Sequence, residues 1–227
     1  MCLLLRGQPE ILKKLVMKNT ALHKVQLQRM SEITIEHYDR VADDYWYGTR
    51  NHDVSQNYEA LLEAIEGKPP HAILDMGCGP GRDLQHFHSL GHEVVGLDGS
   101  GALVSMARSY SGCEVLHQNF LEMELPESHF DGVFANASLF HVPSQELPRI
   151  LLELFTTLKP RGVLFSSNPR GNNEEGLGGD RYSCFFDFDT WSNYLISAGF
   201  FEVQHYFRPA GLPCHRQPWL ATVWRKI

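Results

Sequence analysis

The sequence predicts an α/β fold, a seven-stranded and mostly parallel sheet flanked by helices, on three observations. From Pro70 onward, short apolar runs bounded by Gly or Asp alternate with helical segments, which is the rhythm of βαβ units. The first run leads through a glycine-rich turn, Gly77-Cys78-Gly79-Pro80-Gly81, into a helix. The last two runs have the look of a closing pair of strands. A chain of 227 residues is long enough for one such core and short for two.

Taken in order, the elements begin with a basic amphipathic stretch after Pro9. Ile11, Leu12, Leu15, Val16, Leu22 and Val25 recur at helical spacing, so residues 1–30 are expected to form an N-terminal helical extension to a domain at 31–227. A second helix is expected over Thr34 to Tyr45. A third starts near Asp53, a good N-cap residue, buries Tyr58, Leu61, Leu62 and Ile65, and ends at Gly67. The expected parallel strands are Ala72–Asp75, Glu93–Leu97, Glu114–His117, Gly132–Ala135 and Gly162–Ser166. The main helices between them are Gly81–Leu90, Gly101–Tyr110 and Gln145–Leu158. A glycine-rich loop at Gly171–Gly179 and a helix at Asp189–Ala198 precede the closing strands Phe201–Phe207 and Leu220–Trp224.

Composition excludes several classes. With 43% apolar and 21% charged residues the chain is globular, and no apolar run approaches the ~20 residues that span a bilayer. The run Cys2–Leu5, cut short by Arg6, is too brief for a secretory signal, and a cytoplasmic location is expected. Five scattered cysteines without a Cys-x-x-Cys pair favour a reducing compartment and argue against a zinc site. His86 and His88, two apart, do not share a helical face, so no metal is expected. The net charge is −7, yet residues 1–30 carry six Lys or Arg against one acid. The remainder is strongly acidic and repels phosphate backbones, so no nucleic-acid partner is expected. Beyond packing on the body or binding a partner, the basic extension also has the acid-poor character of a mitochondrial presequence, although it is Ser-poor.

The turn after the first strand carries the functional reading. Asp75, Gly77, Cys78, Gly79, Pro80 and Arg82 surround a helix start whose free N–H groups favour a polar or anionic ligand. A dinucleotide site asks for a third glycine at position 82, where Arg82 stands. The pattern present, Gly-x-Gly-x-Gly, resembles motif I of the S-adenosylmethionine enzymes. The second strand ends in Asp98-Gly99-Ser100, about twenty residues on, where an acid accepts bonds from two ribose hydroxyls; Asp98 alternatively caps the following helix. Asn119 and Phe120, after the third strand, match the place of the adenine, with a plain turn as the other reading. The fourth strand ends at Asn136, with His141 five residues beyond, beside the reacting centre. Upstream, Tyr38-Asp39-x-x-Ala42-x-x-Tyr45-Trp46 resembles the lead-in that small-molecule methyltransferases fold over their cofactor. Tyr38, Tyr45 and Trp46 then close the site, or simply pack as aromatics. The resemblance is to the class I, Rossmann-like methyltransferases, with S-adenosylmethionine as cofactor and S-adenosylhomocysteine as product.

A closer resemblance lies in the runs Tyr45–Asn57, Phe134–Glu146, Ser166–Gly171 and Tyr206–Pro213. They are similar to the C-terminal methyltransferase domain of the ovothiol-biosynthesis enzyme, the 5-histidylcysteine sulfoxide synthase, from roughly Ile35 to the C-terminus. The resemblance implies methylation of an imidazole nitrogen of 5-thiohistidine. The iron-dependent sulfoxide synthase part is absent from this sequence, and such a domain or protein is the partner the resemblance implies. An amino-acid acceptor needs its carboxylate and ammonium fixed. Arg50, Arg170 and Arg181 are candidate carboxylate forks and Asp53 a candidate ammonium partner. Asn136, His141, Ser167 and Asn168 are candidates for bonding the imidazole or thiolate. For each of these the alternative is a cap or a surface ion pair. Two other readings stay open: a methyltransferase for a carboxylate, thiol or phenol, and a silent cofactor-binding partner subunit. Oligomeric state has no signature in the sequence.

Overall fold

The computed structural model describes residues 22–227. Three helices come first: α1 (Lys24–Arg40), α2 (Ala42–Thr49) and α3 (Ser55–Ala64). The α/β portion follows as β1 (Ala72–Met76), α4 (Arg82–Ser89), β2 (Glu93–Asp98), α5 (Gly101–Ser111), β3 (Glu114–His117), β4 (Phe130–Asn136), α6 (Leu147–Thr157) and β5 (Leu158–Pro169). After a hairpin, β6 (Glu174–Gly178) and β7 (Arg181–Phe185), the chain closes with α7 (Phe188–Ser197), β8 (Phe200–Arg208) and β9 (Trp219–Lys226).

The main sheet has seven strands in the order β3-β2-β1-β4-β5-β9-β8. The first five are parallel and β9 runs antiparallel to both β5 and β8. This is the expected seven-stranded, mostly parallel sheet of the Rossmann-like methyltransferase fold. The order reverses between β1 and β4, where Ile73 pairs with both Val94 and Gly132. A crevice therefore opens beyond the carboxyl ends of these strands, the usual ligand position in such sheets.

The central strands are apolar along their length because both faces are covered. Leu74, Met76, Val133 and Leu164 point into a core shared with Met30, α6 and α7. Ile73, Phe134, Val163 and Phe165 point the other way, into a core closed by α3, α4 and α5 through Leu61, Ile65, Leu84, Phe87 and Ala107. Neighbouring residues on one strand thus serve opposite cores, the period-2 geometry of a strand.

Three differences from the sequence reading bear on the site. The helix expected at Thr34–Tyr45 is split at Val41, whose backbone leaves the helical region (φ −111°, ψ 16°), and its first part continues back to Lys24. Residue 30 therefore lies inside one helix, and the amphipathic stretch before Leu22 lies outside the described residues. The loop expected at Gly171–Gly179 contains strand β6, paired with β7. Gly179 (φ +66°) supplies the left-handed residue of a two-residue Gly-Asp turn, and the alternating glycines hide the strand from periodicity.

Candidate active site

Two connected chambers lie beyond the strand ends. The first holds about 650 Å³ of empty space, part of it open to solvent, between the β1, β2 and β3 ends and the face of α1. The second is larger, about 1560 Å³ including open solvent, and is bounded by α2 and the segment before α3, the end of β4, the hairpin and the ends of β8 and β9. Tyr38, Tyr45, Gly77, Gly79 and Ala137 line both, so they frame the passage between them.

The glycine turn explains why the first chamber exists. Gly77, Gly79 and Gly81 have φ of +75°, +54° and +93°, a region other L-residues avoid. A Cβ on Gly77 would lie 2.4 Å from Cβ of Ser138, and one on Gly81 2.9 Å from the Ala107 backbone. Gly81, and not position 82, thus gives the close approach of turn and helix that Arg82 made doubtful for a dinucleotide motif. Asp98 lines the chamber and also holds it together. Its Oδ2 accepts from Gly79 N (3.0 Å) and its Oδ1 from Ser100 N (2.9 Å), while burial raises its pKa. The cap of α5 is Ser100, whose Oγ accepts from Leu103 N (3.2 Å), and not Asp98, while the ribose reading of Asp98 is compatible with this geometry.

The roof of this chamber is α1. Ser31, Thr34, Ile35 and Tyr38 line it, none but Tyr38 foreseen. Asp39 accepts from Ser100 Oγ (2.6 Å) and Ala102 N (3.0 Å) at the start of α5. Thr34 Oγ1 accepts from Tyr182 N on the hairpin (3.0 Å). Ser100 therefore has its hydroxyl engaged within the protein. Asn119 lines the chamber with Phe120, but its Oδ1 accepts from Leu121 N (3.0 Å) and Ser31 Oγ (2.7 Å). Only its Nδ2 donor is left for a ligand, the opposite polarity from that needed to accept from an adenine amino group.

His141 shows the same consumption of polar atoms. Its Nδ1 lies 2.7 Å from the Tyr182 carbonyl, which can only accept, so Nδ1 carries the proton. Its Nε2 then accepts from Tyr38 Oη at 2.8 Å. Burial, joined by the nearby Arg181 charge and opposed by the Tyr182 carbonyl, pushes its pKa down to about 4. Neutral and bonded at both nitrogens, His141 holds the Tyr38 hydroxyl in place and has no nitrogen left unpaired. Arg181 Nη1 donates to Tyr38 Oη at 3.2 Å. Asn136 is similarly held: Nδ2 donates to Asp83 Oδ2 and Oδ1 accepts from Asn57 Nδ2, each 3.0 Å. It lines the second chamber as part of a network, again a positioning role. Asp83, absent from the sequence reading, is the hub of that network. It also takes Tyr58 Oη and Arg82 Nε, both at 2.6 Å.

Of the remaining candidates, Cys78, Pro80, Arg82, Ser167, Arg181 and Asp53 line the second chamber. Asp53 also accepts from Ser55 N (3.0 Å) and Oγ (2.7 Å) just before α3, a local turn, while the cap position expected at Asp53 is taken by Val54. Five line neither chamber. Trp46 packs edge-on against Tyr110. Asp75 is 1% exposed beneath the turn, one oxygen without a partner, and burial raises its pKa well above the usual carboxylate range. Arg50 lies over Tyr47 and Arg170 over Phe207. Asn168 faces a separate small cavity behind Phe140. Residues missed by the sequence reading include Asp83, His52, Arg208 and Trp219, all on the second chamber. Asp83 and Trp219 leave no local motif, whereas His52 and Arg208 lie in the runs Tyr45–Asn57 and Tyr206–Pro213 with no role read from them. Among the described residues no group of three or more His, Cys, Asp or Glu is placed to hold a metal, and no helix is long and apolar enough to cross a membrane.

The residues present fit S-adenosylmethionine. A cradle that Cβ atoms would fill, an acid at the second strand end, and the buried, unpartnered Ser138 Oγ all face the first chamber. Residues 73–162 match a methyltransferase-domain family model. The chain is 29% identical over 177 residues to 24-methylenesterol C-methyltransferase 2 of Oryza sativa subsp. japonica, 66% of this chain and 47% of that protein. It is 28% identical over 182 residues to phosphoethanolamine N-methyltransferase 1 of Zea mays, 73% of this chain and 34% of that protein. The chain thus spans half or less of the length of these curated relatives. Among solved structures, Burkholderia thailandensis 1,6-didemethyltoxoflavin-N1-methyltransferase, with 1,6-didemethyltoxoflavin and S-adenosylhomocysteine bound, superposes with a TM-score of 0.72 at 19% identity over 92% of each chain. Residues 73–162 thus match a methyltransferase domain, and the sheet has the fold of S-adenosylmethionine-dependent methyltransferases.

Proposed function

We propose that this chain methylates a small, polar acceptor, and that the acceptor is an imidazole nitrogen of 5-thiohistidine. The observation that carries the polar class is the lining of the second chamber: Arg82, Arg181, Arg208, Asp53, Asp83 and His52 face one volume that joins the cofactor chamber. A sterol-sized apolar acceptor would strip water from these charges without replacing it, so the acceptors named for the plant relatives of that kind do not transfer to this site. Support for the heterocyclic nitrogen comes from the resemblance of the four sequence runs to the ovothiol enzyme.

S-adenosylmethionine supplies, when bound, an electrophilic methyl group on a sulfonium. The chain's own task is to position and desolvate. Asp98 and the glycine turn hold the ribose and the turn-facing polar atoms. Tyr38 and Tyr45, edge-on to each other with centroids 5.3 Å apart, exclude water at the passage. A neutral imidazole nitrogen would take the methyl through its own lone pair as the methyl–sulfur bond breaks to leave S-adenosylhomocysteine, and the ring proton would then pass to solvent, so no strong base is required, in keeping with the neutral and fully bonded His141. Selectivity against the more nucleophilic thiolate rests on orientation, set by charged groups on the chamber walls.

The test is mass-spectrometric detection of methyl transfer from S-adenosylmethionine, with 5-thiohistidine, histidine and cysteine compared. A product one methyl heavier, formed only from 5-thiohistidine and fragmenting as an imidazole N-methyl, supports the reading. Cofactor binding without transfer to any of the three removes 5-thiohistidine and leaves the polar-acceptor class standing.

A further inference from the structure

Three guanidinium groups line the acceptor chamber, and they are not equivalent. Arg82 is ion-paired with Asp83 at 2.6 Å and donates to the Thr49 carbonyl at 2.8 Å, so its charge is matched within the protein. Arg181 and Arg208 form no ion pair among the described residues. Arg181, the first residue of β7, donates to the Tyr38 hydroxyl and lies 5.8 Å from that ring's centroid. Arg208, the last residue of β8, donates through Nη2 to the backbone carbonyl of Asp53 at 2.6 Å. Both of these partners are neutral, and a guanidinium has five N–H donors, so each retains donors and a full positive charge.

The two come from different parts of the fold, the inserted hairpin and the edge strand of the sheet, and meet at one chamber. Counting Arg82, Arg181 and Arg208 against Asp53 and Asp83, that lining carries one excess positive charge, inside a chain whose formal net charge is −7. The positive lining is local and is not the background of a basic protein. The bonds from Ser55, helped by the Arg208 charge, lower the pKa of the Asp53 carboxyl without a direct ion pair between Arg208 and Asp53. A planar fork with donors left over is suited to a carboxylate, which it can hold through two parallel bonds. Asp53, on the same chamber, lies where an ammonium beside that carboxylate would find a counter-charge.

We propose that Arg181 and Arg208 form an anion subsite that holds the carboxylate of the acceptor, and that Arg208 determines the preference for carboxylated acceptors. The inference rests on reading the second chamber as the acceptor site, and is independent of which nucleophile is methylated there. It places the acceptor among small carboxylic acids and separates it from neutral or purely cationic amines.

The experiment is calorimetric titration of the full chain, saturated with S-adenosylhomocysteine, with imidazole propionate, the corresponding imidazole alcohol and inorganic phosphate. The carboxylate is expected to bind about 10-fold or more tighter than the alcohol, the scale of one or two charge-assisted hydrogen bonds. Arg208→Met is expected to bring the carboxylate to the level of the alcohol while S-adenosylhomocysteine binds as in the parent. Arg208→Lys, which keeps the charge and loses the fork, is expected to fall between, and keeps the test readable if the methionine variant does not fold. Equal binding of carboxylate and alcohol, or carboxylate binding untouched in both variants, overturns the proposal. Phosphate binding as tight as the carboxylate assigns the subsite to phosphate and overturns the carboxylate specificity. None of these outcomes depends on methyl transfer to 5-thiohistidine, so failure of that acceptor and failure of this subsite are read separately.

Discussion

At the scale of single residues, the telling fact is how few polar atoms near the chambers are free. His141 is bonded at both nitrogens, Asn136 at both ends of its amide, and Asn119 at its oxygen. A sequence displays a histidine or an asparagine at a strand end but not whether the fold has already engaged it. The pKa of His141, pushed down to about 4 by burial, has a thermodynamic consequence. A histidine in the unfolded chain titrates near 6.5, so below that pH the unfolded state takes up a proton that the native site refuses. The contribution of His141 is therefore intact above pH 6.5 and is lost as the pH falls toward 4, by an amount on the order of 3 kcal/mol for a shift of this size. Urea midpoints measured at pH 7.5, 5.5 and 4.5 should fall more steeply for the parent than for His141→Gln. Parallel curves would show that another group governs the acid limb.

At the scale of elements, the helix α1 and the hairpin β6–β7 matter most, and neither was read with its full extent. The spacing of α1 shows an amphipathic helix and says nothing of the surface that receives it. Asp39 anchors it by accepting two bonds at the start of α5, in effect capping one helix from another. Replacing Asp39 with alanine should cost about 1 kcal/mol, the usual value of a lost cap, and should loosen the roof more than the body. Hydrogen exchange should then quicken in α1 before it does in β1 or β4, with weaker binding of S-adenosylhomocysteine. Uniform quickening across the sheet would show that Asp39 acts on global stability alone.

At the scale of the whole molecule, one sheet carries two cores and the site lies on its edge. Phe134 is fully buried and stacks on Phe165 with centroids 4.9 Å apart. Phe134→Ala should destabilise by about 3–5 kcal/mol, as large cavities in a close-packed core do. Because β4 touches both cores, a single thermal transition is expected to shift as a unit; two separated transitions would divide the molecule. The seven strands of the main sheet, their order of appearance and the glycine turn were legible because each is written in consecutive residues: the apolar run at Ile73-Leu74, the three glycines, the acid at Asp98. The acceptor side was legible only in part. Arg181 and Asp53 were found, while Arg50 and Arg170 line neither chamber, Asp83 went unnoticed and Arg208 was seen only as part of the run Tyr206–Pro213. Which way a loop arginine turns depends on packing between segments over a hundred residues apart, such as the bond from Arg208 to Asp53.

The contact between β7 and α1 has a kinetic consequence. Tyr182 N holds Thr34, and Arg181 holds Tyr38, one turn further along the same face of the helix. The hairpin and the helix are thus latched at two successive points. The roof of the first chamber therefore lifts away from the hairpin only when both catches release together, which makes its opening slower than the parting of either bond alone.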